Sequence, residues 1–388
     1  MKKLFFLFVI IIMSCTAQEK VDLIITNANI YTVNANFAKA EAFAIKDGKF
    51  IGVGTTSAIQ KQFVTEQIID AKGKTIVPGL IDAHCHFYGL GLQQQKVDVT
   101  GTKSYDEVLQ KIAEFYQKNK PNFLTGRGWD QNDWEVKEFP TNEKLNQFFP
   151  EIPVAIARID GHALLVNAVA LELAGINENT KIEGGEIVKK EGVITGVLID
   201  NAMDLVYKII PKPSKQESTL ALKNAEKICF DLGLTTVDDA GLDREIIELV
   251  DSLQQAGELK IRMYAMVTAD QKNLDYYLNK GISKTERLNV RSFKFYGDGA
   301  LGSRGAAMRK MYSDKANHFG ALIFDVKTIR NTAKRIADSE FQMNTHAIGD
   351  SANHIMLETY KQVLKDKKDR RWRIEHAQIL SPEDFDAF

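Results

Sequence analysis

Cysteine is scarce in this chain: Cys15, Cys85 and Cys229 are the only three. So few cannot build a disulfide framework, even in an oxidising compartment. Cys85 and Cys229 are therefore expected to be buried thiols. Net charge is nearly absent as well, at −1, and removing Lys2 and Lys3 with a leader makes the rest slightly more acidic. Nothing in that balance calls for a nucleic-acid partner. The one dense charge run, Lys365 to Arg373 (KDKKDRRWR), mixes both signs between a helical pattern and a strand pattern, as a solvated turn does. Long apolar runs are missing too. The longest, Leu4 to Met13, falls well short of the ~20 residues a bilayer-crossing helix needs.

That short run is nonetheless informative. Lys2 and Lys3 precede it and Ser14-Cys15-Thr16-Ala17 end it, which is the layout of an export signal. Ile12-Met13-Ser14-Cys15 resembles a lipobox, in which Cys15 receives lipid and becomes the first mature residue. Cleavage after Ala17 is the rival. The expectation is a leader over 1–14 and an exported, membrane-anchored lipoprotein in the periplasm or on the outer cell surface.

With 44% apolar and 26% charged residues, the remainder has ordinary globular composition. Residues 15–75 read as a small β-domain, with Asp47-Gly48 and Lys72-Gly73 as turn pairs between β-branched runs. Residues 76–388 then alternate apolar strands with helical patterns, the signature of a parallel α/β sheet. The strand candidates are Val77–His86, Leu234–Asp239, Ile261–Val267, Val290–Tyr296, Phe341–His346 and Trp372–His376. Helices at Ser214–Leu232 and Ser351–Leu364 fit between them. The stretch 98–213 is too long for one crossover. It is expected to be an insertion after the first strand, with a helix (Tyr105–Lys118), strands ending near Asp130 and Asp160, and a hairpin. The fold class is thus α/β: a TIM-like (β/α) barrel represented by strands 1–6, a small N-terminal β-domain, and a large insertion at the face where such barrels build their sites.

The chemistry concentrates at strand ends. His84 and His86 stand two apart on a strand and so face the same side; two imidazoles there can share a metal ion. Lys294 sits inside the apolar strand Phe293-Lys294-Phe295-Tyr296, where an ammonium is costly. Burial lowers its pKa and frees a neutral amine for covalent chemistry. His346 and His376 close two later strands. Each alone would serve a structural role, but several at one end of successive barrel strands converge.

These residues carry a resemblance. Thr75-Ile-Val-Pro-Gly-Leu-Ile-Asp-Ala-His-Cys-His86 is similar to the first-strand signature of the metal-dependent amidohydrolase superfamily. Lys294 to Ala307 (KFYGDGALGSRGAA), Asn344 to Asp350 (NTHAIGD), Arg373 to Gln378 (RIEHAQ) and Arg158 to Asn167 (RIDGHALLVN) resemble its branch of N-substituted formamide deformylase-like enzymes. The resemblance implies two divalent metal ions. His84 and His86 would bind one, His346 and His376 the other, and Lys294, carboxylated on its amine, would bridge them. Imidazole and carboxylate donors suit zinc, while leaving iron, manganese and nickel open. It further implies hydrolysis of a non-peptide C–N bond in a small-molecule amide, formamide or cyclic amide by a metal-activated water. Asp160 and His162 would approach the substrate, Trp129 would wall it, and Asp298 and Arg304 would orient the substrate or the carbamate. His318 and His354 are expected at the surface.

Two rival functions remain: a mononuclear deaminase of the same superfamily, which needs no bridging lysine, and a non-catalytic surface-binding lipoprotein. Six strands carry the sequence to Phe388, where Ser381-Pro382 opens a helix. The family's final strands and its catalytic aspartate are therefore expected in a longer protein of which this chain is a piece. Homo-oligomerisation is left open.

Overall fold

The computed structural model describes residues 18–388 except 160, 162, 183–184, 201, 302–304, 314–315 and 366. The chain divides into two units at Leu80/Ile81. In the first, a four-stranded sheet runs in the order Lys49–Gly54, Ala42–Lys46, Leu23–Thr26, Ile68–Asp70. Its tight hairpin turns at Asp47 and Gly48, with φ of 51° and 69°, the left-handed pair that matches strand twist. Strand alternation sends Ile24, Ala42 and Ala44 to one small core with Ile59 and Phe63, and Ile25 and Phe43 to another with Ile30. The small N-terminal β-region expected from the sequence is present.

The second unit is built on six strands: β1 (Leu80–Cys85), β2 (Leu234–Leu242), β3 (Arg262–Thr268), β4 (Leu288–Tyr296), β5 (Gln342–Ala347) and β6 (Arg373–His376). They lie side by side in sequence order, parallel from β2 through β6. Around them run α1 (Phe87–Gln93), α2 (Lys215–Asp231), α3 (Arg244–Gln255), α4 (Gln271–Lys280), α5 (Val326–Ala337) and α6 (Asp350–Leu364). Their starts follow capping chemistry. Ser214 and Glu217 form a reciprocal capping box on α2, and Asp270 and Asp325 accept backbone N–H bonds at the starts of α4 and α5. The main core lies between strands and helices: Val237, Val267, Phe293, Phe295 and Met343 meet Ala225, Val250, Tyr277, Ile329 and Met356. This is the curled half-barrel of the expected fold class.

Residues 97–207 form an inserted lobe with its own six-stranded sheet, in the order Val97–Asp98, Leu124–Trp129, Val154–Arg158, Ala163–Val166, Val193–Asp200, Gly185–Lys190. Its first three strands are parallel and the rest antiparallel. Tyr105–Asn119 covers one face through Val108, Leu109 and Ile112, and Ala170, Met203 and Val206 cover the other. Among the described residues no helix is long and apolar enough to cross a membrane.

Candidate functional site

The C-terminal ends of β1, β4, β5 and β6 bring His84, Lys294, His346 and His376 into one neighbourhood. The His376 ring centroid lies 4.8 Å from that of His84 and 4.7 Å from that of His346, and His86 stands 5.8 Å from His84. Among the described residues no three His, Cys, Asp or Glu side chains form a finished metal-holding group. The rings are neighbours whose nitrogens turn to protein partners instead: His84 Nδ1 to Glu375 Oε2 at 2.8 Å, and His346 Nε2 to the Gly299 carbonyl at 3.3 Å.

Among the described residues, three polar atoms in this neighbourhood are buried with no hydrogen-bond partner: His84 Nε2, Lys294 Nζ and Glu375 Oε1, the last having the Arg373 guanidinium at 3.1 Å as an ion-pair neighbour. An orphaned buried polar atom costs about 1–3 kcal/mol; the ion pair to Arg373 offsets that cost for Glu375 Oε1, which leaves His84 Nε2 and Lys294 Nζ as the natural contacts for a ligand. Lys294 is 1% exposed. Burial is the main reason its pKa falls to about 8. Its ammonium end lies 4.9 Å from the Tyr296 ring centroid. Burial also lowers His86 and His346, and His376 falls furthest, to about 4, through partial burial and then the charges of His346, His84 and Lys294. Neutral imidazoles are the form that binds a metal cation. The donor set therefore fits a metal.

His86 is not on the strand. β1 ends at Cys85, and His86 caps α1 at φ −122° and ψ 71°. Its position depends on how closely α1 approaches α2. A Cβ on Gly91 would sit 1.9 Å from the Ala221 carbonyl oxygen, so only glycine fits. From the strand side, buried Asp239 accepts the Tyr88 N–H at 2.9 Å, and burial raises its pKa to about 7. Gly91→Ala is expected to push α1 off α2, lower the unfolding temperature by several degrees, and weaken metal binding through His86. Thermal unfolding and metal titration of that variant check it.

His376 has φ +74° and Ala377 has φ +42°, left-handed values costing of order 1–3 kcal/mol each outside glycine. The turn is fixed where the Ala377 N–H reaches the Ala347 carbonyl at 3.1 Å. Its effect is to break strand alternation. Glu375 and His376 are adjacent, yet Glu375 bonds His84 while the His376 ring touches both His84 and His346.

A match to the amidohydrolase family model covers residues 67–388. The chain belongs to the amidohydrolase family. It is 33% identical to protein LONG AFTER FAR-RED 3 of Arabidopsis thaliana, over 93% of this chain and 65% of that protein. It is 30% identical to the putative amidohydrolase YtcJ of Bacillus subtilis, over 91% of this chain and 68% of that one. It is 27% identical to the N-substituted formamide deformylase of Arthrobacter pascens, over 92% and 69%. It thus spans about two thirds of the length of these curated relatives. Among solved structures, an uncharacterized metal-dependent hydrolase from Pyrococcus horikoshii matches with a TM-score of 0.78 and 26% identity, over 94% of this chain and 72% of that one.

In this amidohydrolase the other residues singled out by sequence fall in different places. Asp298 is 1% exposed and accepts N–H bonds from Ala307, Ile348 and Gly349, each at 2.9 Å, with His346 Nε2 at 3.6 Å. It ties down the loop that leaves β5 just beyond His346. Trp129 is completely buried in the inserted lobe, where its indole N–H donates to the Ile156 carbonyl and its ring packs near Trp134 and Phe139. A ring with no exposed face offers no wall to a substrate, so Trp129 packs the lobe. Asp160, His162, Arg304 and Cys15 lie outside the described residues. Cys229 is buried as expected, but Cys85 is only half-buried; both are free thiols. His354 pairs through Nδ1 with Asp384 at 2.7 Å.

Sequence reasoning missed Glu375, Asp239 and Arg373. Arg373 lies 3.1 Å from Glu375 and reaches the Ala83 carbonyl at 3.4 Å. Towards the N-terminal ends of the strands, Asp238, Tyr264, Gln342 and Arg373 help to line a cavity of about 620 Å³.

Proposed function

We propose that this protein is a metal-dependent hydrolase of non-peptide C–N bonds, acting on a small-molecule amide, formamide or cyclic amide. The observation that carries the reading is the convergence of His84, His346 and His376 beside the buried, unpartnered Lys294 amine. A binding surface has no use for a costly buried lysine beside three clustered imidazoles. The names of two relatives, a putative amidohydrolase and an N-substituted formamide deformylase, support the bond class.

His84 and His86 would hold one ion, His346 and His376 the second, and Lys294 would link them, zinc being the ion that suits the donors. Bound there, the ions would supply Lewis-acid activation of water and of the substrate carbonyl. The chain's own part begins at Lys294. A pKa near 8 leaves an appreciable fraction of neutral amine, whose nitrogen adds to the carbon of dissolved carbon dioxide and loses a proton. The product is an N6-carboxylate carrying two donor oxygens. The lowered histidine pKa values keep the rings as lone-pair donors at neutral pH, and Glu375, Asp239 and Asp298 hold the ring-bearing segments in place.

Metal content and turnover test this together. The protein, loaded with zinc, is assayed against N-formyl, N-acyl and cyclic-amide panels. About two ions per chain and hydrolysis in one class support the reading. One ion with full activity after Lys294→Ala would sink the binuclear centre in favour of a deaminase-like one.

We also propose that the leader over 1–14 is removed and that lipid on Cys15 tethers the enzyme outside the cytoplasm. The expected result is a mature protein whose intact mass includes a diacylglyceryl group, and a Cys15→Ser variant that leaves the membrane fraction. Unchanged partitioning of that variant counts against the tether.

A further inference from the structure

We propose that Glu375 is a positioning residue for His84: it fixes the tautomer that leaves Nε2 free for a metal ion. The assignment rests on the metal-hydrolase reading above, and it adds a residue that neither the motif spacing nor strand alternation marks.

The two nitrogens of one ring behave differently. His84 Nδ1 lies 2.8 Å from Glu375 Oε2. A carboxylate accepts and does not donate, so the proton of this bond sits on Nδ1. When the ring is neutral it has one N–H, so Nε2 then carries the lone pair. That same Nε2 is buried and has no hydrogen-bond partner among the described residues. A structural histidine would be expected to satisfy both nitrogens. Here one is bonded tightly and the other is left open to the ring cluster, beside His376 at 4.8 Å between centroids. Metal-bound histidines show the same division, with the far ring N–H given to a carboxylate.

The carboxylate is itself held. Glu375 is 9% exposed, and its Oε1 has the Arg373 guanidinium at 3.1 Å. Arg373 is fixed in turn by the Ala83 carbonyl on β1 and by Asp238 on β2, at 3.4 and 3.8 Å. The left-handed turn at His376 completes the device, because it lets β6 direct Glu375 at His84 and still bring its own terminal ring into the cluster. Arg373, Glu375 and His84 thus form a chain running from the strand bodies up to the metal-facing nitrogen.

The test separates this role from a merely structural one by reading the tautomer. In protein labelled with nitrogen-15 in its histidines, the His84 signals are assigned by their loss in His84→Asn and read at a pH where the ring is neutral, without metal. The expected spectrum shows the proton on Nδ1. In Glu375→Gln, whose amide can donate as well as accept, the expected spectrum shows a mixture, and zinc titration by calorimetry gives an affinity 10- to 100-fold weaker. Glu375→Asp should recover part of both. A proton on Nε2 in the wild type, or an unchanged tautomer and affinity in Glu375→Gln, overturns the proposal. Should Glu375→Gln fail to fold, as thermal unfolding would reveal, the wild-type spectrum decides alone. Should the wild type bind no zinc, the metal reading fails, and the tautomer still decides whether Glu375 sets the proton on His84.

Discussion

Replacing Lys294 by methionine is expected to cut hydrolysis about 10³-fold while making the metal-free protein more stable. The two effects have one origin. Lys294 is 1% exposed with no hydrogen-bond partner for its amine, so folding strips a cation of water and returns little for it beyond the Tyr296 ring at 4.9 Å and the charges of Glu375 and Asp239. Its pKa falls from 10.5 to about 8 in the folded state. At roughly 1.4 kcal/mol per unit, the penalty is on the order of 3 kcal/mol. The sign follows from proton counting: between the folded and unfolded values the unfolded chain binds more protons, so stability rises with pH from about 8 to about 10.5. Below about 8 both states are protonated and the penalty is constant. Methionine keeps the apolar stem without the charge. The variant should therefore unfold several degrees higher near neutral pH, and the difference should shrink as pH rises towards the unfolded value. Turnover should fall about 10³-fold, because on the proposed two-ion reading the ions would lose the group that links them and with it several kcal/mol of transition-state stabilisation. Unfolding scans of both proteins across pH, beside a hydrolysis assay, read the two effects. A variant less stable than wild type at neutral pH would mean that the amine has a favourable partner.

How much of the fold and site is legible in the sequence depends on how local the signal is. The six strands of the half-barrel announce themselves, since each is a short apolar run between helical patterns, and their order in the sheet follows their order in sequence. Lys294 stands out because a lysine inside Phe-Lys-Phe-Tyr breaks an apolar pattern. The inserted lobe is only partly readable. Its helix and hairpin are visible as local patterns, but the joining of Val97–Asp98, Leu124–Trp129 and Val154–Arg158 into one parallel sheet is a non-local pairing that leaves little local trace.

Glu375 is hidden for a sharper reason. Strict alternation along β6 sends Glu375 away from any site that contains His376. Only a left-handed residue at 376 lets both side chains serve one cluster, and no glycine marks that turn. Asp239 is hidden because a carboxylate at a strand end looks solvated until the neighbouring helix start is known to lie over it. His86 likewise reads as a strand residue, although the strand stops at Cys85 and the histidine opens α1. Glu375 acts on the His84 ring and Asp239 on the Tyr88 N–H, both brought from distant segments, and spacing in sequence does not record such contacts.

Asp298 gives the second large effect. Asp298→Ala is expected to destabilise the protein by about 4 kcal/mol or more, because the carboxylate holds several buried donors at once. It accepts three backbone N–H bonds, from Ala307, Ile348 and Gly349. Removing it leaves those donors buried, at about 1–3 kcal/mol each before relaxation. Relaxation is restricted, since a Cβ on Gly349 would lie 2.0 Å from the Ala307 carbonyl oxygen, so the two segments are already in close contact. The functional consequence is specific to His346, whose Nε2 lies 3.6 Å from Asp298 and whose strand runs straight into the loop that the carboxylate ties down. On the proposed two-ion reading, loss of the tie should loosen the second ion and spare the first, because His84 and His86 are anchored separately through Glu375 and Asp239. Asp298→Asn separates the contributions. Its amide oxygen can accept from two of the donors while its NH2 faces the third, so it should cost less stability than alanine and still disturb His346. Denaturant unfolding measures the first effect, and stepwise zinc titration the second. Asp298→Ala that unfolds like wild type, or that loses both ions in parallel, would show that Asp298 does not secure His346 in this way.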